Sequence, residues 1–372
     1  MTEGNFVITL TWIFRVRTET TRKNDPKNLF SGREDSPVEK IEILQGKTMH
    51  ASLETRMHTT KTSEMKSKLI VLLLFSCLVV NAFSQGDFSG SDTTRLVILG
   101  SGNPNPSPIN SGCSVAIVVF NTPYIIDFGP GLIRRAAALS PSYGGKISGL
   151  EVKNIKRAFL THLHSDHTAG YPDLILTPWV MGRDEPLEVY GPEGINKMTE
   201  NILEAYEEDI RYRLYGSEPA NNQGWRVNSH EFMNEGVIYC DENVKVEAFP
   251  VPHGSWPNSW GFRFTTPDKV IVVSGDTRPS EKILEYARNA DILVHEVYSK
   301  KGFDTKNETW KAYHSENHTS TYELGEIAAK TNPGLIVLYH ILYWGASDKD
   351  LLDEIATVYK GKVAVGHDLD VY

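Results

Sequence analysis

Three imidazoles and a carboxylate fall within six residues of the run Leu160-Thr-His-Leu-His-Ser-Asp-His-Thr-Ala-Gly170, directly after a strand-like segment. Side chains two apart in extended backbone share a side, so His162 and His164 can grip one ion. Asp166 and His167 fall in the turn beyond the strand end and reach toward a second. Nitrogen and carboxylate ligands suit zinc. Further apolar runs end in the same residue types. Val244 to Val251 alternates like a strand and delivers His253 in Pro-Val-Pro-His-Gly, Val270 to Val273 runs into Ser274-Gly-Asp276, and Leu335 to Leu338 ends at Tyr339-His340. Each alone is an ordinary turn residue at a strand end.

These motifs resemble the His-x-His-x-Asp-His signature and later ligand motifs of the metallo-β-lactamase superfamily. Tyr124-Ile-Ile-Asp127-Phe-Gly-Pro-Gly131 resembles its first motif, whose aspartate braces the site without binding metal. The resemblance covers about residues 95 to 370 and implies an α/β fold, a single-domain four-layer αβ/βα sandwich with the metals at one edge of its two sheets. It also implies two zinc ions per chain, with Mn2+ or Fe2+ as alternatives. One ion would take His162, His164 and His253, the other Asp166, His167 and His340, with Asp276 bridging. Leu96-Val-Ile-Leu-Gly100-Ser-Gly102-Asn-Pro, His295-Glu296 and His318-Thr-Ser resemble motifs of the ribonuclease Z and arylsulfatase-like branch. In that branch the last histidine faces the scissile group and the glutamate orients it. The implied catalytic set is Asp166, His318 and Glu296, with His318 as proton donor to the leaving group.

One departure is large. Ribonucleases Z usually insert a tRNA-clamping arm between the Pro-x-His-Gly and Ser-Gly-Asp motifs, whereas here His253 and Asp276 are separated by barely one strand pair. The chain is also acidic, with 47 Asp+Glu against 38 Lys+Arg and a net charge of −9. Phosphate backbones reward clustered Lys and Arg, and the helix-like stretch 195–210 presents Glu204, Glu207, Glu208 and Asp209 instead. The expectation is hydrolysis of a small phosphate diester or sulfate ester, aryl esters included, by a hydroxide held between two cations. No nucleic-acid partner is favoured, and a homodimer is compatible with the pattern. A tRNA 3′-processing endonuclease and an inactive metal-binding sensor are the alternative readings. Trp256, Trp260 and Trp344 lie close in sequence to His253 and His340 and are candidates for a wall that stacks on an aryl or sugar group.

Met65-Lys-Ser-Lys68, the apolar Leu69 to Val80 and the exit Asn81-Ala-Phe-Ser84 read as a secretory signal peptide. The apolar core is shorter than the roughly 20 residues of a membrane span. Residues 1–64, of mixed charge and no sustained period, read as disordered sequence upstream of a start at Met65, followed by the signal at 65–84, a linker at 85–94 and the hydrolase domain at 95–372. The mature protein would then be periplasmic or secreted, with no membrane contact after cleavage. Outside the signal, Cys113 and Cys240 are expected as small core residues. Pro192 is expected in the first turn of a helix bearing Ile195, Met198, Ile202, Leu203 and Tyr206. Ser280 should cap a second helix, and Thr321 to Lys330 should form a third, closed by Asn332-Pro-Gly334.

Overall fold

A computed structural model describes residues 93–372 except residue 219. The expected leader, signal peptide and nearly all of the linker lie outside the described residues. The first sheet has the order β1 (Thr94–Gly100), β2 (Ser114–Val119), β3 (Thr122–Ile126), β4 (Arg157–Phe159), β5 (Leu187–Pro192), β6 (Val227–Phe232). The second holds β7 (Gly236–Cys240), β8 (Lys245–Pro250), β9 (Trp260–Thr265), β10 (Val270–Val273), β11 (Ile292–Tyr298), β12 (Leu335–Leu342) and β13 (Val363–Val365), neighbours in that order. Strands β10 to β13 run parallel and β7 to β10 antiparallel.

The nearly unbroken apolar runs of the strands follow from burial on both faces. In β1, Leu96 and Ile98 face the layer between the sheets, and Val97 and Leu99 face the outer helices. In β12, Val337 and Tyr339 point inward, and Ile336 and Leu338 meet the helices of the other side. The outer layers are α1 (Leu132–Leu139), the short α2 (Ser165–Thr168), α3 (Tyr171–Val180), α4 (Ile195–Ala205) and α5 (Glu207–Tyr215) on one side. On the other are α6 (Glu281–Tyr286), α9 (Thr321–Thr331) and α10 (Asp348–Ala356), while α7 (Lys300–Asp304) and α8 (Glu308–Asn317) lie in the connection between β11 and α9. This is the expected four-layer sandwich. Ser280 caps α6, Ser320 forms a capping box with Glu323 at the start of α9, and Asn332 ends α9 in the left-handed region.

Three local expectations are corrected. Pro192 closes β5, and α4 begins only at Ile195, after Gly194 with φ 106°. The stretch 195–210 breaks at Tyr206, which redirects the chain so that Ile210 joins the core that anchors Ile195. Cys113 is a core residue, but Cys240 is exposed on β7.

One buried cation holds the first helical layer together. Pro178 lies inside α3 and lacks the N–H that the Leu174 carbonyl would otherwise accept. The fully buried Arg183 supplies it from Nη1 at 3.2 Å and also donates to the carbonyls of Ile155 (3.1 Å), Ile175 (2.6 Å) and Gly224 (2.8 Å). Burial pulls the guanidinium down to about 9, which leaves it charged at neutral pH. Arg183→Met strips these carbonyls of a donor and is expected to cost about 3 kcal/mol, lowering the melting temperature by roughly 6 °C or more. A thermal scan showing an unchanged midpoint would mean that the guanidinium is dispensable.

Candidate metal centre

The ligand candidates gather where strands of both sheets end at one edge of the sandwich. Strand β4 stops at Phe159, and His162 and His164 follow in the loop beyond it, with His164 in extended backbone and the two rings on one side as expected. His164 immediately precedes the helical turn α2, which carries Asp166 and His167. The loop brings His162 Nε2 within 2.8 Å of His164 Nδ1, and His253 Nε2 lies 3.3 Å from the same Nδ1. The Nδ1–H of His253 donates to the carbonyl of Asn317 at 2.8 Å, which leaves the Nε2 lone pair facing its partners. Burial pushes His162, His164 and His253 down, so all three present neutral rings.

Asp166 Oδ2 lies 3.1 Å from His340 Nε2 and 3.4 Å from His167 Nε2, forming a second group. Asp276 spans the two: Oδ1 is 3.5 Å from His167 Nε2, and Oδ2 is 3.5 Å from His340 Nε2 and 3.9 Å from His253 Nε2. Local backbone features aim these side chains. Strand β12 has an extra residue opposite the Glu296–Val297 step of β11, and that residue is His340, at φ 46°. The bulge re-aims its ring out of the ladder. Asp276 follows Gly275, which has φ 62° and sits where a Cβ would come within 2.5 Å of the Trp260 carbonyl oxygen, so only glycine fits. Asp127, itself at φ 60°, is buried behind the loop. Its Oδ1 accepts from the Thr161 N–H (2.8 Å) and hydroxyl (2.9 Å), and its Oδ2 accepts from His167 Nδ1 at 2.8 Å. That hydrogen bond turns the other ring nitrogen of His167 toward Asp166 and Asp276.

His162, His164 and His253 could hold one ion, Asp166, His167 and His340 another, and Asp276 joins His162 and His167 in a third such grouping. His167 Nε2 and Asp276 Oδ1 are buried without a hydrogen-bond partner, which is the arrangement a cation between them resolves. The charge balance agrees. At Asp276 burial is outweighed by His340 and His167, which hold its carboxyl well below the usual range, and the same pair of rings holds Asp166 at about 2. At His167 burial is outweighed in turn by Cys113, Asp127, Asp276 and Asp166, and the ring is raised. Cys113 is pushed up to about 12 by burial and stays a neutral thiol, so the carboxylates carry this effect. The centre demands positive charge, which a divalent cation meets. The donor set of imidazoles and carboxylates fits zinc.

Beside this cluster, the ring of His318 lies 5.3 Å from that of His253 and 5.9 Å from that of His340. Its Nδ1 donates to Glu296 Oε1 at 3.2 Å, an oxygen that also accepts from the N–H groups of Thr277 and Thr319. Burial, then Asp276, push the Glu296 carboxyl well up, and burial pushes His318 down to about 4. The three tryptophans separate. Trp256 is folded back by a tight turn from His253 and stands 4.1 Å from the His164 ring. Trp260 is only 5% exposed and packs edge-on against Phe232 between the sheets, so it belongs to the core and not to a wall. Trp344 leans on His314 at 4.3 Å, with the Lys306 ammonium 4.6 Å over its ring. The carbonyl of Asn317 is a contributor that residue type could not announce, since every residue has one. Thr161, next to His162 in sequence, was visible but carried no signal of its role.

A four-layer sandwich with this cluster at its edge defines a class, and the comparisons agree. A family model described as a β-lactamase superfamily domain matches residues 122–341, more than half of the chain, and the chain belongs to that superfamily, in its metal-dependent branch. It is 30% identical over 279 residues to the ribonuclease Z of Mycobacterium sp. (strain KMS), a match that takes in 74% of this chain and 94% of the relative. It is 28% identical over 280 residues to the ribonuclease Z of Mycobacterium marinum, covering 74% and 96%. Human tRNase Z, short form, superposes with a TM-score of 0.56 at 20% identity over 75% of this chain and 98% of that one. The metallo-β-lactamase fold protein YhfI from Bacillus subtilis does so at 0.58 and 16%, over 76% and 99%. These last two likenesses are of fold. The protein is a metal-dependent hydrolase acting on ester bonds.

Proposed function

We propose that the protein is an exported di-zinc hydrolase that cleaves a small phosphate diester or sulfate ester. The observation that carries the reading is the position of Asp276 between two ligand groups, with a carboxylate oxygen and the facing His167 Nε2 both buried and without a hydrogen-bond partner. Zinc bound at these side chains supplies Lewis acidity and a water acidified toward neutral pH. The chain's own residues do the rest. Asp127 and the Asn317 carbonyl fix the tautomers of His167 and His253. Glu296 holds His318 by Nδ1, so its Nε2 is the atom that passes a proton to the departing oxygen. Because burial keeps His318 neutral at rest, its Nε2 first gains a proton from solvent as the anionic ester binds, since the ester's charge favours the imidazolium, and that proton then passes to the departing oxygen, returning the ring to neutral.

Two features support a small substrate. Between His253 and Asp276 the chain forms little more than the β9–β10 hairpin, and the net charge is −9. The likeness to ribonucleases Z along 94% of a relative's length favours a second reading, tRNA 3′ processing. Parallel assays decide between them. Bis(4-nitrophenyl) phosphate or 4-nitrophenyl sulfate should be hydrolysed in a zinc-dependent way while a tRNA precursor is cut poorly at physiological salt; efficient, accurate 3′ trimming would make the second reading the correct one. Export rests on residues 65–84, and no helix among the described residues is long and apolar enough to cross a membrane. Mass spectrometry of the native protein should find Gln85 at the amino terminus.

The tryptophans give a finer check. Trp256→Ala removes a ring beside His164 and is expected to raise KM for an aromatic ester about tenfold with the melting temperature nearly unchanged. Trp260→Ala opens the core and should lower stability by about 3 kcal/mol or more. Equal effects of the two on KM and on stability would remove Trp256 from the substrate wall.

A further inference from the structure

The loop from Ser101 to Ser111 plays no part in the metal centre, yet it is firmly built. Asp368, nearly buried, accepts from the Ser101 N–H and hydroxyl (2.9 Å each) and the Ser111 N–H (2.7 Å), and pairs with Arg135 at 3.0 Å. Asn103 Nδ2 donates to the carbonyl of Ile341, next to His340, at 2.6 Å. Two cavities, of about 510 and 540 Å³, open on either side of this loop and share Gly102, Asn103, Asn105, Ser107 and Asn110. The first reaches Asp166, and the second continues past Trp344 to Asp348 and His367. With that loop as their common wall they form a groove bordered by Asp166 at one end and by His367 at the other.

The lining has a definite chemistry. No Lys or Arg lines either cavity, and Asp166 and Asp348 contribute negative charge, so the groove does not suit a polyanion. It offers side-chain amides, a hydroxyl, and the Asp348–His367 pair, joined at 3.0 Å. Asn105 donates through Nδ2 to Asn103, and His367 uses Nε2 on Asp348, so Asn105 Oδ1 and His367 Nδ1 are left to a ligand. Groups that between them donate and accept suit adjacent hydroxyls, and the half-buried indole of Trp344 offers an apolar surface for the C–H face of a saturated ring. Cavities of this size take a group as large as a mono- or disaccharide.

We propose that the groove is a subsite for an uncharged, hydroxyl-rich part of the substrate, a sugar or related polyol whose ester group lies at the Asp166 end. The assignment rests on the hydrolase reading for the position of the ester, but the groove itself can be tested without turnover. Saturation-transfer NMR on the zinc-loaded protein, with methyl glucoside, galactoside, mannoside and N-acetylglucosaminide as probes and benzyl alcohol as an aromatic control, reads binding directly. At least one glycoside should bind and benzyl alcohol should not compete with it. The double variant Asn105→Ala/Ser107→Ala, both positions on the exposed loop, should weaken that glycoside about tenfold at unchanged zinc content, and His367→Ala should weaken it in the same direction. Absence of binding by every glycoside, equal affinity in wild type and both variants, or displacement by benzyl alcohol would overturn the subsite, whatever esters the protein hydrolyses. Glycoside binding by a protein that turns over no phosphate or sulfate ester would keep the subsite and overturn the hydrolase reading.

Discussion

Asp276→Ala should empty both halves of the metal centre at once. The carboxylate is within 3.5 Å of His167 and His340 and 3.9 Å of His253, so its loss removes negative charge from both ligand groups together. Zinc should fall from about two ions per chain to less than one. Hydrolysis should fall by about a thousandfold or more in kcat/KM, roughly 4 kcal/mol of transition-state stabilisation. His164→Ala is the contrast. His164 is the least buried of the three imidazoles in its group and does not touch Asp166 or His340, so that variant should lose one ion and keep the other. Elemental analysis of the two proteins after identical loading makes the comparison, and two zinc ions retained by the Asp276 variant would sink the shared-ligand arrangement.

The second large effect is expected at His318. If its Nε2 delivers the proton to the departing oxygen, His318→Ala should lower kcat by about 10² to 10⁴ for an ester whose alcohol is weakly acidic. A 4-nitrophenyl ester should suffer far less, because nitrophenolate leaves without a proton. Zinc content should not change: His318 lies within reach of His253 and Asp276, but the two groups that Asp276 joins are complete without it. Glu296→Gln keeps the shape and a hydrogen-bonding oxygen but weakens the hold on Nδ1, so its loss should be smaller and follow the same leaving-group trend. A uniform loss for both kinds of ester would assign His318 to positioning alone.

The residues of the centre were legible before the fold because metal chemistry restricts the usable atoms. Imidazole and carboxylate groups standing one after another at the ends of apolar runs serve few purposes besides holding cations, and His162, His164, Asp166, His167, His253, Asp276 and His340 do converge. The layered fold was legible for a related reason. Strands such as β1 and β12 are apolar on both faces, which only a sheet covered on both sides accounts for. Periodicity, however, reports burial and not what a residue is buried against. It therefore could not separate Trp260, packed between the sheets, from Trp256, returned to His164 by a turn. Nor could it show that Pro192 ends a strand or that the 195–210 stretch bends at Tyr206.

What tertiary structure alone decided is orientation. The ring of His340 reaches the cluster because β12 carries one residue more than β11 at that point, a mismatch that exists only once the two strands pair. The tautomer of His253 is set by a backbone carbonyl 64 residues away, from an atom that every residue possesses and that no sequence pattern marks. The groove beside Asp166 is assembled from a loop near the start of the described chain and from His367 near its end, held in register by Asp368. Residue types and their order determined which chemistry this chain can perform. Distances between parts remote in sequence determined where that chemistry is aimed, because contact across the fold depends on packing and not on local composition.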